Sequence, residues 1–245
     1  MSWPGDHSSL ILVPLAPLLA PFSSPLALLV LQTLALALGA IPAHRLARHL
    51  TGDGITALAV AALYLLHPAV GYVNLFEFHP EALATAPLLA AIADLARGRH
   101  RRGIAWAVVA LLAREDVALV VLGLAAFTGL TRDRRRQRTG VALAVLALAS
   151  LALTFGVLRP LFARGEAEYA RMFEAWGDTP GAIAAAMATH PWDAIASLWS
   201  TPGDPGDSLL KREYWIHLLL PLMALPLADP RLLLAALPLI TLHLL

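Results

Sequence analysis

The chain has 245 residues, of which 58% are apolar and only 14% are charged, whereas soluble domains carry about 25% charged residues. This composition excludes a disordered chain and argues strongly against a soluble globular domain, because too few polar side chains are available to cover the surface. The net charge of +1 gives no indication of a nucleic-acid partner. Cysteine is absent, which excludes disulfides and thiolate metal sites. The totals indicate an integral membrane protein of one domain.

Helical membrane spans are predicted wherever long apolar runs lie between short basic or turn-rich breaks. The runs lack the period-two alternation of strands, so we expect an all-α, multi-pass transmembrane bundle in which residues 1–245 form a single membrane domain. Prolines within residues 9–22 favour an interfacial or broken helix there. The eight predicted spans are 25–45, 54–70, 78–96, 103–113, 116–130, 139–159, 214–228 and 231–245.

Two adjacent predicted spans, 103–113 and 116–130, are too short to cross a bilayer. At ~1.5 Å per residue they cover roughly 16 Å and 22 Å, whereas the hydrocarbon core is ~30 Å thick. We therefore expect a helical hairpin whose tip lies inside the membrane thickness. Such a tip is tolerated only where protein or a water-filled cavity surrounds it.

The basic residues predict the orientation of the bundle in the cell membrane. Most of the arginines lie in short breaks between spans, and the positive-inside rule makes these breaks cytoplasmic. Residues 1–24, 71–77, 114–115 and 160–213 are then extracytoplasmic. The last of these segments is the only long polar stretch, and we expect it to form a small helical cap. The arginines of the breaks are Arg45, Arg48, Arg97, Arg99, Arg101, Arg102, Arg132, Arg134, Arg135, Arg136, Arg138 and Arg231.

Three clusters of polar residues lie on the predicted outer side, although they come from separate parts of the chain. A charge at membrane depth costs ~2.5–3.5 kcal/mol on insertion scales. Ionisable residues at such a position therefore suggest a functional site. The clusters are Asp6 with His7 before the first apolar stretch, Glu77 with His79 and Glu81 at the start of a span, and Arg114, Glu115 and Asp116 at the hairpin tip.

The cluster at residues 77–81 also has a structural interpretation. Glu77 and Glu81 would share one helix face if the helix began early. However, Pro80 favours the first turn of the helix that follows, which would place Glu81 near the positive N-terminal end of the helix dipole. His79 is then either a neighbour of the helix N-cap or a base that faces a cavity.

The other two clusters likewise have two interpretations. Arg114 and its two acidic neighbours form either an ion-pair network that holds the tip, with Asp116 as a helix cap, or a site for a charged substrate. Arg114 suits phosphate because its planar guanidinium binds two oxygens at once. Asp6 and His7 are either a solvated terminus or part of the site. No spacing matches a metal motif, so we predict no cofactor, with a divalent cation as the alternative.

Two runs of the sequence, LYLLHPAVGYVNLFEFHPEALATAPLL and LLAREDVALVVLGL, resemble a family of bacterial and archaeal membrane proteins known as domain of unknown function 2079. The shared pattern consists of a helix end that runs from a tyrosine-leucine pair to a proline at residues 64–68, an acidic FHPE box at residues 77–81 and an RED box at residues 114–116. The runs GDHSSLILVPLAPL and LLPLMALPLADPRLLLAALPLI resemble the first and later helices of the family. The resemblance covers nearly the whole chain.

That family resembles the C-type glycosyltransferases, which are multi-pass enzymes with extracytoplasmic active sites. The resemblance implies a glycosyltransferase C-like fold and transfer of a sugar from a polyprenyl-phosphate carrier to an acceptor. The expected partners are membrane lipid, which surrounds the bundle, and the lipid-linked sugar. A carboxylate would act as general base. The residues assigned on this basis are Glu115, Asp116 and Glu77 as catalytic, Arg114 as the donor-phosphate ligand, and Asp6, His7, His79 and Glu81 as further substrate-binding residues.

Two departures from the family pattern bear on activity. Relatives have an earlier helix and an acidic first outer loop before the Asp-His run, and they continue beyond the position of Leu245. The chain is therefore expected to be incomplete at both ends and to lack the first-loop carboxylate.

Two further functions stay open, a transporter or channel with intramembrane acids and a non-catalytic scaffold. The single REDV hairpin has no counterpart, whereas transporters often have repeated halves.

Overall fold

The computed structural model describes residues 8–22, 24–162, 176–177, 180–201 and 204–219. Within these ranges the regular structure is helical, apart from one isolated bridge between Thr201 and Asp204, which confirms the all-α prediction. The predicted span 214–228 is described only as far as residue 219, and the predicted span 231–245 lies outside the described residues. The helices are α1 Leu12–Leu19, α2 Leu26–Leu38, α3 Ala40–Thr51, α4 Gly54–Leu66, α5 Pro68–Leu75, α6 Ala82–Ala96, α7 His100–Leu111, α8 Val117–Gly129, α9 Arg134–Leu153, α10 Arg159–Phe162, α11 Pro180–Thr189, α12 Pro191–Ser197 and α13 Pro205–Leu219.

Two helical stretches in the described part are long and apolar enough to cross a membrane. Helices α2 and α3 together form Leu26–Thr51, and α9 continues through a π-helical turn, Thr154–Leu158, into α10 to form Arg134–Phe162. A third candidate is the pair of α4 and α5, which is bent by 41°. The described part thus has two or three candidate spans. The other predicted spans within it correspond to shorter helices.

The boundaries of the first span differ from the prediction. The basic residues Arg45 and Arg48, which were assigned to a break, lie within α3. The helix ends only at Gly52, whose backbone is left-handed with a φ of 71° and whose N–H bonds to the carbonyl of Arg48. Glycine adopts this conformation without the steric cost that a side chain would add. The basic character of the segment therefore indicates the membrane boundary and not the end of the helix.

The apolar surface of α2 matches that of a membrane helix. Its exposed residues Leu26, Val30, Leu34 and Leu38 follow one another at intervals of four and form a single stripe. Gln32 lies on the opposite face and is fully buried. In water such a leucine stripe would be unfavourable, whereas in a bilayer it faces lipid tails.

The core consists of α6, α7, α8 and α9, and small residues dominate it. Helix α6 packs along α7, and α8 packs along α9. Alanines of all four helices are almost completely buried, which allows close approach of the backbones. One close approach of two backbones is at Gly140, where an added Cβ would lie 2.7 Å from the Cα of Gly129 and from the carbonyl oxygen of Ala125. Helix α8 has buried residues on most of its sides.

The predicted hairpin is present, with its tip at residues 112–116 between α7 and α8. Its arms, however, pack mainly against α6 and α9 and contact each other less. Helix α8 is about 20 Å long at ~1.5 Å per residue, which is shorter than a ~30 Å hydrocarbon core.

Two ends of this bundle differ in chemistry. We call the end that carries the arginine-rich segments the basic end. There the side chain of Arg97 donates to the carbonyl of Arg45, and His100 Nδ1 lies 2.9 Å from Thr139 Oγ1. The opposite end, which contains the hairpin tip and the start of α6, is called the tip end. The three arginine-rich segments therefore lie together, as the orientation argument requires.

Residues 180–201 and 204–219 contain three of the helices, and the last of them, α13, extends beyond residue 213, where the predicted cap ends. Helix α13 holds the end of α12, because Lys211 Nζ donates to the carbonyl of Ser197 and Trp215 Nε1 donates to that of Leu198. The rings of Trp199 and Trp215 stack at 5.6 Å. These contacts make a small folded unit.

Candidate functional site

A charged cluster joins the start of α6 to the hairpin tip. Arg114 Nη1 donates to Glu81 Oε1 at 2.6 Å, and Arg114 Nε lies 3.5 Å from Asp116 Oδ2. The three side chains are between 10% and 30% exposed, so the charges are only partly solvated. One guanidinium therefore holds two carboxylates that come from different parts of the chain.

The local backbone explains why both carboxylates are available to Arg114. Glu81 occupies the N-cap position of α6, and Asp116 occupies that of α8, yet neither side chain makes a capping hydrogen bond. Helix α6 begins at Ala82, so Pro80 precedes the N-cap and does not lie in the first turn, where it was predicted. The capping interpretation of Asp116 is wrong, because its carboxylate faces Arg114 and not the first amides of α8.

Glu115, the middle residue of the tip, is buried and binds the N-terminal segment. Its Oε2 accepts the backbone N–H of Ser8 at 3.0 Å and lies 3.4 Å from the Ser8 hydroxyl. That hydroxyl is 2.8 Å from the hydroxyl of Thr154, at the start of the π-helical turn. A further backbone bond joins Ile11 N–H to the Leu112 carbonyl at 2.7 Å. The tip, the N-terminal segment and the long helix α9 are therefore connected.

A third group of contacts holds the segment that precedes α6. The fully buried Gln32 donates to the carbonyl of Val73 at 2.7 Å and accepts the backbone N–H of His79, also at 2.7 Å. His79 Nδ1 lies 2.6 Å from the carbonyl oxygen of Glu77, and its ring lies beside that of Phe76. Gln32 thus fixes the backbone two residues before Glu81.

The structure brings part of the predicted site together. Glu81, Arg114 and Asp116 are in direct contact, and Glu115 and His79 adjoin them in the chain. Glu77 does not share a helix face with Glu81, because residues 76–79 are not helical, and Glu77 is exposed. Asp6 and His7 lie outside the described residues. In the described part of the chain, no group of three or more His, Asp or Glu residues has the arrangement that would hold a metal ion.

Four contributors at this end were missed by the sequence analysis. Gln32 had a detectable signal, because it is an amide in the middle of the apolar run LALLVLQTLALAL. Ser8, Thr154 and Arg159 had none, since each depends on a long-range contact or on a change of helix type. Arg159 follows the π-helical turn, and its guanidinium carbon lies 5.0 Å from the centre of the Phe155 ring.

The bundle defines a helical membrane protein with arginine-rich segments at one end and a partly buried cluster of an arginine and two carboxylates at the other. The chain belongs to the family described as "Predicted membrane protein (DUF2079)", whose model matches residues 3–245. No curated protein and no solved structure matches the chain. The match confirms the family resemblance of the FHPE and RED boxes, and the family description names no activity.

Proposed function

We propose that this protein is a membrane-embedded glycosyltransferase that moves a sugar from a polyprenyl-phosphate carrier to an acceptor hydroxyl. In this proposal the tip end faces the outside of the cell membrane and the basic end faces the cytoplasm. The observation that carries it is the contact of Arg114 with Glu81 and Asp116, which joins the two boxes of the family at one point. Such a cluster of ionisable groups at membrane depth is a functional-site hypothesis by default.

The chemistry of the transfer needs a base and a stabilised leaving group. The acceptor oxygen forms a bond to the anomeric carbon of the sugar and loses its proton to a carboxylate. The bond between that carbon and the phosphate oxygen breaks, and the polyprenyl phosphate leaves with the electron pair. The partly desolvated tip end favours this step, because fixed charges act more strongly where water is excluded.

Glu81 is the carboxylate best placed to accept the proton. Its Oε1 is held by Arg114, while its Oε2 is buried and accepts no hydrogen bond from the described residues. Asp116 contacts the same guanidinium from the tip and is the second candidate. Arg114 orients both carboxylates, so a phosphate bound to Arg114 would compete with them. Glu115 acts by holding Ser8 and the N-terminal segment beside the cluster.

The test uses the full-length protein purified into liposomes with a radiolabelled polyprenyl-phosphate sugar. We expect Glu81→Gln and Asp116→Asn each to lower transfer by about 10²-fold or more, since positioned acid–base groups contribute roughly that much. Asp94→Asn is the matched control, because Asp94 forms a comparable ion pair with Arg99 at the basic end. Transfer at the parental rate in both tip-end variants would contradict the proposal.

A transporter is the second candidate, and one observation favours it. The bend of 41° between α4 and α5 interrupts a potential span, and broken helices commonly line transport pathways. His67 occupies the break in an extended conformation. The liposome assay separates the two functions, since a transporter would move solute across the bilayer without cleaving the bond to phosphate. A scaffold would do neither, and the variants would alter only its stability.

A further inference from the structure

Three large apolar side chains at α12 lie on one exposed face. Trp192 is 78% exposed, and Ile195 and Trp199 are 47% and 46% exposed. Trp192 and Ile195 belong to α12, and Trp199 lies in the turn that follows it. The three residues follow one another at intervals of three and four, which is the spacing of one helix face. We call them the tryptophan stripe, and large apolar groups gathered in this way mark an interaction surface.

Helix α13 holds the tryptophan stripe in a fixed orientation. The rings of Trp199 and Trp215 stack, and Trp215 Nε1 donates to the carbonyl of Leu198 at 3.0 Å. Leu198 is buried against α13. The buried Lys211 ammonium donates to the carbonyl of Ser197 at 2.9 Å. These contacts lie on the inner side of the unit formed by α12 and α13, so the stripe forms an outer face.

The length of α4 and α5 places their far end at a membrane surface. Helix α4 begins beside Asp53 at the basic end, and its 13 residues are followed, after the bend, by the 8 residues of α5. At ~1.5 Å per residue the pair rises roughly 30 Å along its axis, which is about the thickness of the hydrocarbon core. The end of α5 therefore reaches the membrane surface opposite the basic end, where the tip end lies.

Exposed apolar side chains continue along this pair of helices up to that surface. Leu58 and Leu65 of α4 are exposed, as lipid-facing residues of a span are. On α5, Tyr72 and Leu75 are exposed together with Phe76 just past the helix end, and the three share one helix face. Helix α13 contacts α5. The unit that carries the tryptophan stripe therefore adjoins a lipid-facing surface near the membrane boundary.

The composition of the stripe favours lipid over a protein partner. Tryptophan is enriched at the membrane–water interface, because its ring suits the acyl chains while its N–H reaches water or head groups. Asp193 is exposed about 100° around α12 from Trp192, so the helix also has a polar flank. A second copy of the chain could cover the stripe as well. However, the neighbouring surface of α4 and α5 already faces lipid, and a lipid interface continues that contact.

We propose that the tryptophan stripe inserts into the lipid interface at the tip end and anchors the unit of α12 and α13 to the membrane surface. Helix α12 then lies along the membrane plane, with its apolar face buried ~5–10 Å into the boundary between head groups and acyl chains. The proposal requires only that the chain is a membrane protein. It holds whether or not the protein transfers a sugar, so the two proposals fail independently.

The first experiment uses nitroxide spin labels on the full-length protein in phosphatidylcholine nanodiscs. The chain contains no cysteine, so Ile195→Cys and the matched control Asp193→Cys each provide a single attachment site. Oxygen partitions into the bilayer, whereas a nickel chelate stays in water, so the ratio of their collision rates with the label reports its surroundings. We expect this ratio to be severalfold higher at Ile195 than at Asp193, because only Ile195 belongs to the stripe.

Two results of the labelling experiment would overturn the proposal. The first is a low, water-like ratio at both positions, which would place the stripe in water. The second is a label at Ile195 that neither reagent reaches, because protein would then cover the stripe. Dipolar broadening between labels would in that case identify the cover as a second copy of the chain.

A second measurement needs no label and keeps the stripe apolar. Phosphatidylcholine brominated close to the head group quenches tryptophans at the membrane boundary, whereas iodide quenches tryptophans in water. We expect Trp192→Phe to lose part of the emission that brominated lipid quenches and to retain the emission that iodide quenches. Loss of the iodide-quenched emission instead would overturn the proposal, since Trp192 would then lie in water.

Discussion

The two ends of the bundle both contain an acid held by arginine, yet they are built differently. At the basic end, Asp94 lies 3.6 Å from Arg99 and 3.5 Å from Arg102, and both arginines are more than half exposed. All three residues lie within one turn-connected pair of helices. At the tip end, Arg114 is only 22% exposed and reaches Glu81, 33 residues earlier in the chain.

This difference distinguishes arginines that serve to orient the protein in the membrane from charged residues that are brought together to form a site. Asp94 is buried, but its two arginines are exposed, and an ion pair with an exposed partner contributes little, typically ~0–1 kcal/mol. Charges that are withdrawn from water must be balanced by a partner, and their retention needs a reason. The tip end has such charges, together with a buried amide and a buried carboxylate. We therefore expect substitutions at the tip end to have larger effects than matched ones at the basic end.

The largest expected effect is that of Arg114→Gln. Removal of the guanidinium leaves Glu81 and Asp116 as partly buried carboxylates without their common partner. Loss of one partner of a buried pair costs ~3–5 kcal/mol, and partial exposure favours the lower limit. The free energy of unfolding in an SDS titration should fall by about 3 kcal/mol. Arg99→Gln, the basic-end control, should lose less than about 1 kcal/mol, and equal losses would refute the comparison.

The second largest effect is expected for Gln32→Leu, which tests whether the Gln32 amide stabilises the segment that precedes α6. The change removes the partner of both the Val73 carbonyl and the His79 N–H. Unsatisfied buried groups cost ~1–3 kcal/mol each, so we expect a loss of about 2 kcal/mol of unfolding free energy. Thr33→Val is the neighbouring control, since it removes an exposed hydrogen bond to Asn74 and not a buried one. A variant Gln32→Leu as stable as Thr33→Val would show that the amide is dispensable.

A smaller effect is expected from Gly140→Ala, which tests packing towards the basic end. The new methyl group would lie 2.7 Å from backbone atoms of both Gly129 and Ala125, so the helices must separate. Overpacking of this kind costs ~1–3 kcal/mol. Gly71→Ala is the control, because nothing lies within 4 Å of its added Cβ. Thermal unfolding in detergent would measure both, and a parental midpoint for Gly140→Ala would contradict the close approach of α8 and α9.

The smallest effect is expected at Asp53, between α3 and α4 at the basic end. The hydrogen bond from the Thr56 backbone N–H, at 2.6 Å, lowers the pKa of the Asp53 carboxyl. A lowered folded-state pKa gives stability that is present above the unfolded pKa of ~4 and is lost as the pH falls through the folded value. Unfolding midpoints at pH 7 and pH 3 should therefore differ slightly more for the parent than for Asp53→Asn. A steeper pH dependence in Asp53→Asn would contradict this assignment.

Local sequence patterns predicted much of the bundle. The short arms α7 and α8 and the hairpin tip between them follow from apolar run length, and α6 begins close to Pro80, although Pro80 itself precedes the helix. The predicted break at Arg45 and Arg48 is wrong, because arginine is a good helix former and only Gly52 ends the helix. A change in polarity indicates where a membrane ends, whereas backbone preference decides where a helix ends.

The sequence by itself determined that this is a helical membrane protein with basic segments at one end and acids in two boxes. Composition and the position of charges suffice for that, since they depend only on solvation. The tertiary structure alone decided that Arg114 pairs with Glu81, that Glu115 holds Ser8, and that Arg159 lies above Thr154. These contacts depend on how the helices pack and on one extra residue in a helical turn, and neither feature produces a periodic pattern in the sequence.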